Sequence, residues 1–405
     1  IDRILPTTFY AKAQNNNHGL TEGCALYLSG YFLWKTTKNK KYFSIFNKGL
    51  NLLENRVRKL ILDDGTFSQY SIVYHRMVLD LLSITKLFND KWGLDPFSKL
   101  FHKKIYLAID WYSSMIDPIT GKAPNMGAND GTYLLNYDMK EYRDFRPSLL
   151  LASKSYNVHI NRKFTTNHNI LDIFKISENP MKKKSLKSSL FMDGGYLKII
   201  RENGMAMLKV PKYKFRPSHA DALHLDIWQN GINYIRDTGT YSYALNDDDL
   251  DSFSGTVGHS TIQFNNKNQM PRLSRFLFGN WLTTSNMYLS EKNNKMSAAY
   301  RSSDNQYHAR YVEKIKKGWM IKDEIDGKFK FAILRYILPQ DDWSISLNNI
   351  SNKKLNINVS SDNLIKINIR KGWDSLYYMK REPVKVLEIE TSSSCFIHTN
   401  LTFLN

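Results

Sequence analysis

Cysteine is nearly absent from this chain. Of 405 residues only Cys24 and Cys395 carry a thiol, and they stand at opposite ends. That excludes a disulfide framework and any thiolate-rich metal site. Cys24 lies in the apolar stretch CALYLSGYFLW, where a buried, inert thiol is expected. Long apolar runs are missing too. A membrane-spanning helix needs roughly 18 uninterrupted apolar residues, and here Lys, Asn or Asp interrupts every apolar stretch, so no membrane span is predicted. There is no internal repeat and no glycine-rich nucleotide loop. Acidic residues are scarce beside basic ones, 38 against 57, which leaves a formal charge of +19 and a surface that attracts polyanions. Nucleic acid is not the expected partner: the basic residues are scattered, as in KKYFSIFNK and MKKKSLKSS, with no helix-turn-helix, zinc-finger or RNP pattern. An acidic glycan suits the charge better, although a charge run is usually only a solvated face. The sequence opens at Ile1 without an initiator Met or a basic-then-apolar leader, which reads as an N-terminus processed or trimmed from something longer. No signal fixes the compartment, and a periplasmic or extracellular one is favoured over the cytoplasm. Oligomeric state is not legible.

What is present divides by periodicity. With 42% hydrophobic residues, a chain of this length has enough apolar surface for two cores. From about residue 18 to 155 the apolar pattern repeats at helical spacing, in TEGCALYLSGYFLWKTT, YFSIFNKGLNLLENRVRKLI, YHRMVLDLLSITKLFND and FSKLFHKKIYLAIDWYSSMI. Short Gly, Asp and Asn turns separate these segments, as helix hairpins require. The stretch from NRKFTTNHNI through MKKKSLKSS loses periodicity and reads as a linker. After about residue 189 the period becomes two, in GGYLKIIRENGMAMLKV, LHLDIWQNGINYIRDTG and NKKLNINVSSDNLIKINIRK, with ENG, QNG and IDG predicted as tight hairpin turns. Helices segregated from strands predict two domains, a helical one over 1–175 and an antiparallel β one over 176–405.

Four segments gather chemistry-bearing residues. In QNNNHGLTEG, Asn17 and His18 open a helix, and Glu22 lies four residues beyond His18 on the same face. The trio either presents polar groups to a cleft or caps the helix, since Asn is favoured at caps. In DDGTFSQYSIVYHRMVLDLL, Tyr70, Tyr74, His75 and Arg76 lead into an apolar helix, as site residues or as packing. GKAPNMGANDGTYLL and EYRDFRPSLLLA form a polar loop leading to Arg143 and Arg146. Asn125, Asn129 and Asp130 suit sugar hydroxyls there, while Gly127 and Gly131 equally suit turn chemistry. Finally, FRPSHADALHLDIWQNGINYIRDTGTYSY and the following FSGTVGHSTIQF carry His219, Asp237 and His259 on successive strands or strand ends. Two imidazoles and a carboxylate make a plausible zinc set, though a lone strand histidine is more often a satisfied core residue.

Taken in order, these blocks resemble the heparinase II/III-like polysaccharide lyases. NNNH, TEG, DGTFSQYSIVYHR, APNMGANDGTY, YRDFRP and RPSHADALHLDIW through GHSTIQF follow that family's order and cover most of residues 15 to 282. The tail NQMPRLSRFLFGNWL resembles the branch encoded with capsule and exopolysaccharide genes, and beyond about residue 283 only β character supports the likeness. The resemblance implies an α+β multidomain fold, an N-terminal (α/α) toroid followed by a C-terminal antiparallel β-sandwich, with the active cleft between them. It implies that Asn17 and His18 engage a uronate carboxylate, that Tyr74 serves as Brønsted base and acid, and that Tyr243 is a second cleft tyrosine. Glu22, His75, Arg76, Asn125, Asn129, Asp130, Arg143 and Arg146 are the accompanying substrate contacts. His219, Asp237 and His259 match the ligands of one structural zinc per chain. Two departures stand out. Pro217 occupies a position where relatives carry a histidine, and only 14 residues precede Asn15, so the toroid would be incomplete.

The chemistry so implied is β-elimination on an acidic polysaccharide, a capsular, exopolysaccharide or glycosaminoglycan-like polymer. Two other readings compete: a uronyl C5-epimerase, which shares the first proton abstraction, and a non-catalytic glycan-binding or assembly protein. Hydrolysis needs two facing carboxylates, and Asp63 and Asp64 are the only paired acids in the helical half.

Overall fold

The computed structural model describes residues 1–136, 141–160, 187–292 and 294–404. Its Cα packing divides the chain into two units, Ile1–Ala123 with Gly131–Leu186, and Pro124–Asp130 with Lys187–Asn405. The expected α+β order is found, helices first and antiparallel sheets after. Of the predicted linker over 161–189, residues 161–186 lie outside the described residues, as does the boundary at 175/176, and Ser189 already opens the first strand.

The helical unit contains a short α1 (Thr8–Gln14), then α2 (Asn17–Thr37), α3 (Lys40–Leu60), α4 (Ile72–Trp92), α5 (Lys99–Met115) and α6 (Arg146–Ser155). Side-chain oxygens of Asn16, Asn39, Ser71 and Ser98 accept from the first-turn N–H groups of α2 to α5, satisfying donors that a helix start leaves orphaned. Gly93, at φ 65°, closes α4 in a left-handed cap. α4 is buried without a break from Ile72 to Ser83, so it is the central helix and its polar residues are inside with the rest. Among the described residues no helix is long and apolar enough to cross a membrane. Both cysteines are buried free thiols, and burial pushes the Cys24 thiol up to about 11.

In the β unit, five strands from Ser189–Phe191 to Ile232–Ile235 form a meander. An eight-stranded antiparallel sheet includes Gln306–Ile315 and Gly318–Gly327. A four-stranded sheet runs in the order Lys366–Tyr377, Lys380–Thr391, Ala332–Leu338, Ile262–Phe264. One apolar core, including Leu208, Leu225, Trp319, Tyr336, Leu387 and Ile397, joins them. A further helix, α7 (Asp247–Ser254), sits between strands. ENG and QNG turn hairpins as predicted, with Asn203, Asn230 and Gly231 at positive φ. IDG does not: Gly327 ends a strand of the eight-stranded sheet, and the chain crosses to the four-stranded one at Ala332.

α2 and α3 touch backbone to backbone. A Cβ added at Gly49 would stand 2.3 Å from Tyr27 N, and one at Gly30 would stand 2.5 Å from Phe46 N. On helix propensity alone Gly49→Ala gains about 1 kcal/mol, but here overpacking costs about 3 kcal/mol or more. Chemical denaturation should therefore show Gly49→Ala less stable than the parent; an equal or more stable variant means the hairpin is not close-packed.

Candidate functional site

The β unit brings His219, Asp237 and His259 together, all buried, with one donor atom from each within 4.8 Å of the others. They come from loops at strand ends: His219 before Leu225–Gln229, Asp237 just after Ile232–Ile235, and His259 ahead of Ile262–Phe264. The hydrogen bonds set the tautomers. Thr240 Oγ1 donates to Gly127 O and accepts from Asn129 N–H, so it receives His219 Nε2–H at 3.3 Å and leaves Nδ1 as the free lone pair. His259 Nδ1 donates to Asp237 Oδ2 at 2.8 Å, which turns Nε2 outward. Among the described residues those two atoms, His219 Nδ1 and His259 Nε2, are buried without a well-formed hydrogen bond, the Ser254 carbonyl alone coming near His259. Orphaned imidazole nitrogens beside a buried carboxylate are the donor set a divalent cation takes, and the residues present fit such an ion.

Electrostatics agree with the geometry. Burial, reinforced by the like charge of His259, pushes His219 down to about 4, so it is a neutral donor. Burial opposes charge on Asp237, but His259 above all, then His224 and His219, outweigh it and hold that carboxyl down to about 2. Burial likewise opposes charge on His259, and the Asp237 carboxylate reverses this and raises it above the usual imidazole value. A cation at Nε2 would take that proton's place.

His224, not anticipated from the sequence, completes the surroundings. Its Nδ1 accepts from Ser260 N–H, so Nε2 carries the proton and faces Asp226 Oδ2 at 3.6 Å and Asp237 Oδ2 at 3.8 Å. It is a donor toward the carboxylates and not a fourth ligand. The spacing His219 to His224 was its only sequence signal. Pro217 is buried two residues ahead of His219 and brings no side-chain donor. Tyr243 is half-buried in the same unit. Its N–H donates to Tyr378 Oη, and its ring stands edge-on to Phe276 and Tyr378.

In the helical unit the cap of α2 is Asn16, which frees the Asn17 side chain from the capping role. Asn17 Nδ2 lies 3.5 Å from Met77 Sδ, one turn beyond Tyr74 on α4. His18 is exposed. Glu22 is half-buried, and burial raises its carboxyl despite the nearby His18. Tyr74 sits in the first turn of α4, its N–H held by Ser71 Oγ.

Most of the other expected substrate contacts lie inside their units. His75 is stacked on Trp111 and Tyr112, donates from Nε2 to Ala108 O, and is pushed by burial down to about 3. It is an uncharged core residue, unable to touch a sugar or favour a tyrosinate. Arg76, also buried, holds the carbonyls of Thr132 and Tyr142 inside a box of Tyr133, Tyr142 and Phe145 rings. Arg143 is buried and spans to Ala123 O. Arg146 is clamped in two bonds by Asp144. The Asn125 amide is bound to Ser375 O, and Asn129 is buried with its N–H on Thr240, so both hold the 124–130 loop in the β unit. Asp130 is partly exposed.

A family model described as heparinase II/III-like, C-terminal, matches residues 183–393. Among curated protein sequences none matches. Among solved structures the chain is similar to a heparinase III at 18% identity and a TM-score of 0.76, over 96% of this chain and 60% of the other. It is also similar to a heparan sulfate lyase from Pedobacter heparinus at 16% identity and a TM-score of 0.72, over 98% and 62%. A chondroitinase AC lyase follows at 12% identity and a TM-score of 0.51, over 88% and 59%. At these identities the likeness is one of fold, and the chain spans about three fifths of the length of these structures.

Two outcomes follow from the geometry. One equivalent of a divalent transition ion should raise the melting temperature of chelator-stripped protein, and His219→Ala should remove that rise; a titration without saturation, or one unchanged in the variant, refutes the trio as a metal site. Separately, Asp80 is fully buried on α4, and among the described residues Ser148 is the one side chain near enough to hydrogen-bond its carboxylate, at less than good geometry. Burial, only partly offset by Ser148 and Arg76, pushes it up to about 7. The folded protein therefore binds this proton more tightly than the unfolded chain, whose value is about 3.9. Its contribution to stability is full below about pH 4 and is lost as pH rises to about 7, a change on the order of 2–4 kcal/mol. Asp80→Asn should melt higher than the parent at pH 8 and lose most of that advantage by pH 4; an equal difference at both values refutes the assignment.

Proposed function

Because this chain belongs to the heparinase II/III-like family, we propose that it cleaves an acidic, uronate-containing polysaccharide by β-elimination. A bacterial capsular or exopolysaccharide, or a glycosaminoglycan-like polymer, is the proposed substrate. The observation that carries the reading is local to the helical unit. Asn17, released from capping by Asn16, lays its amide against Met77, one turn from Tyr74 on the same helix, with His18 exposed beside it. That contact, between the start of α2 and the first turns of α4, supports a reading in which the Asn17 amide, the His18 imidazole and the Tyr74 phenol act on one sugar.

A uronate resists loss of its C5 proton because its carboxylate already bears the charge that a carbanion would add. Hydrogen bonds from Asn17 and His18 to that carboxylate lower the barrier, typically by about 3 kcal/mol per donor. Tyr74 as phenolate takes the C5 proton. The electron pair forms the C4–C5 double bond as the C4–O bond breaks, and the same phenol returns a proton to the leaving oxygen on the same face of the sugar. One group used twice suits a chain with Pro217 where relatives hold a histidine. With His75 neutral, the cationic help for the phenolate comes from elsewhere, and the net charge of +19 supplies a favourable field. In the β unit a zinc ion held by His219, Asp237 and His259 would act structurally, contributing folding free energy and fixing three loops.

The discriminating product is the unsaturated uronate end, read as new near-ultraviolet absorbance. On a polymer the parent cleaves, Tyr74→Phe should lower turnover at least about a hundredfold with melting temperature and metal content unchanged. A rate loss for Tyr243→Phe alone moves the base to Tyr243. New reducing ends without absorbance mean hydrolysis, and C5 inversion without chain shortening means epimerisation.

A further inference from the structure

The edge hairpin of the four-stranded sheet, Lys366–Tyr377 with Lys380–Thr391, sorts its charges by face. Its acids Asp374, Glu382, Glu388 and Glu390 alternate onto one side. Three of them are taken: Asp374 by Arg236, Glu382 by Lys380, and Glu388 by both Arg335 and Arg370. The opposite face carries no acid. Near Ile367, Ile369, Leu387 and Ile389 it packs into the unit's core, and then it runs on past that core. There Lys371 stands directly opposite Lys385, and Trp373 opposite Pro383. Two lysines facing each other across a ladder repel, and among the described residues no carboxylate pairs with either of them or with Arg381. Trp373 is 48% exposed, and the Arg381 guanidinium lies 4.9 Å from its ring and 5.6 Å from that of Tyr241.

This overhang is bonded to the loop that follows Asp237. Ser375 N donates to Thr238 O, Met379 N to Tyr241 O, and Tyr243 N to the Tyr378 hydroxyl. Tyr241 is itself held at a left-handed φ of 58°, a conformation costly for a bulky side chain. Unpaired cations converge beside a half-exposed indole, on rigid strands, next to a strained loop. Such a surface lacks its anion, and a polymer alternating charged groups with the apolar faces of sugar rings supplies both complements.

We propose that Lys371, Lys385, Arg381 and Trp373 form an acidic-polysaccharide subsite on the β unit, continuous with the Tyr241–Tyr243 loop. Lysine and arginine take the carboxylates or sulfates of successive sugars, and Trp373 takes a ring face. The inference rests on the acidic-polysaccharide reading above and concerns binding, so it can be tested apart from cleavage. The probe is heparin, a sulfated polyuronate, in solution and immobilised, with metal content and melting temperature as folding controls. Lys371→Glu with Lys385→Glu should weaken heparin binding at least tenfold. The same charge change at exposed Lys40 and Lys41 on α3 should weaken it less than twofold. Trp373→Ala should weaken it by an amount that added salt leaves unchanged. Equal losses in the two double variants would mean that net charge alone binds, and would overturn the subsite. So would a parent that ignores heparin, or a single-stranded DNA competitor as effective as heparin, which would make the strip a general polyanion surface. A parent that binds through this strip but cleaves no uronate polymer leaves the subsite standing and removes the lyase reading.

Discussion

A buried guanidinium has to find acceptors for its N–H groups or the fold loses several kcal/mol, and Arg310 meets that demand at Nε and Nη1, joining the sandwich to its donor loops. It is fully buried on the strand Gln306–Ile315. Its Nε donates to Asp323, which also receives His308 Nε2 and the Tyr336 hydroxyl, while Nη1 reaches the carbonyls of Leu223 and Ser260. Burial alone would discharge both members of the pair, but each outweighs it for the other, so both stay ionised. Leu223 adjoins His224, and Ser260 adjoins His259. The position of the donor trio therefore depends on a charge pair two strands away that touches none of the three.

Ser260 shows how such a constraint spreads. Its carbonyl is on Arg310, its N–H sets the tautomer of His224, and its hydroxyl bridges Arg236 O and Ile337 N. One small residue thus transmits the geometry of two sheets to the ring beside Asp237. The helical unit is organised by other means. There, close contact of α2 with α3 and an α4 buried on every side do the positioning, and the polar residues on α4 are accommodated by rings and carbonyls.

The elements were legible because period is a property of local sequence. The four long apolar segments became α2 to α5, and the alternating runs became strands. Less legible was direction. Tyr74, His75 and Arg76 are consecutive, and successive helical side chains point about 100° apart, so proximity in sequence could not tell which of them leaves the core. None of the three does: Tyr74, His75 and Arg76 are all buried. The helix does open at Asn17, but its cap is the neighbouring Asn16, which the sequence could not single out because both are good caps. IDG resembled a hairpin turn, but a chain changing sheets uses the same positive-φ glycine. The trio His219, Asp237, His259 was visible from residue type alone. Thr240, Ser260 and Arg310 were not, since they act through backbone groups far away in sequence, where no pattern marks them.

Among the described non-glycine residues in left-handed backbone, nine of fifteen are asparagines, the residue that tolerates it best. Of the others, Lys38, Leu347 and Met379 lie outside the candidate blocks, whereas Tyr70, Leu223 and Tyr241 each fall within one of the blocks that carry candidate chemistry. A glycine at any of them would ease the backbone locally. Selection for heat resistance alone, blind to activity, would therefore be drawn to these three positions, and its gains would come at the expense of the loops that hold Tyr74, the donor trio and Tyr243. The strain marks where this chain has exchanged durability for shape.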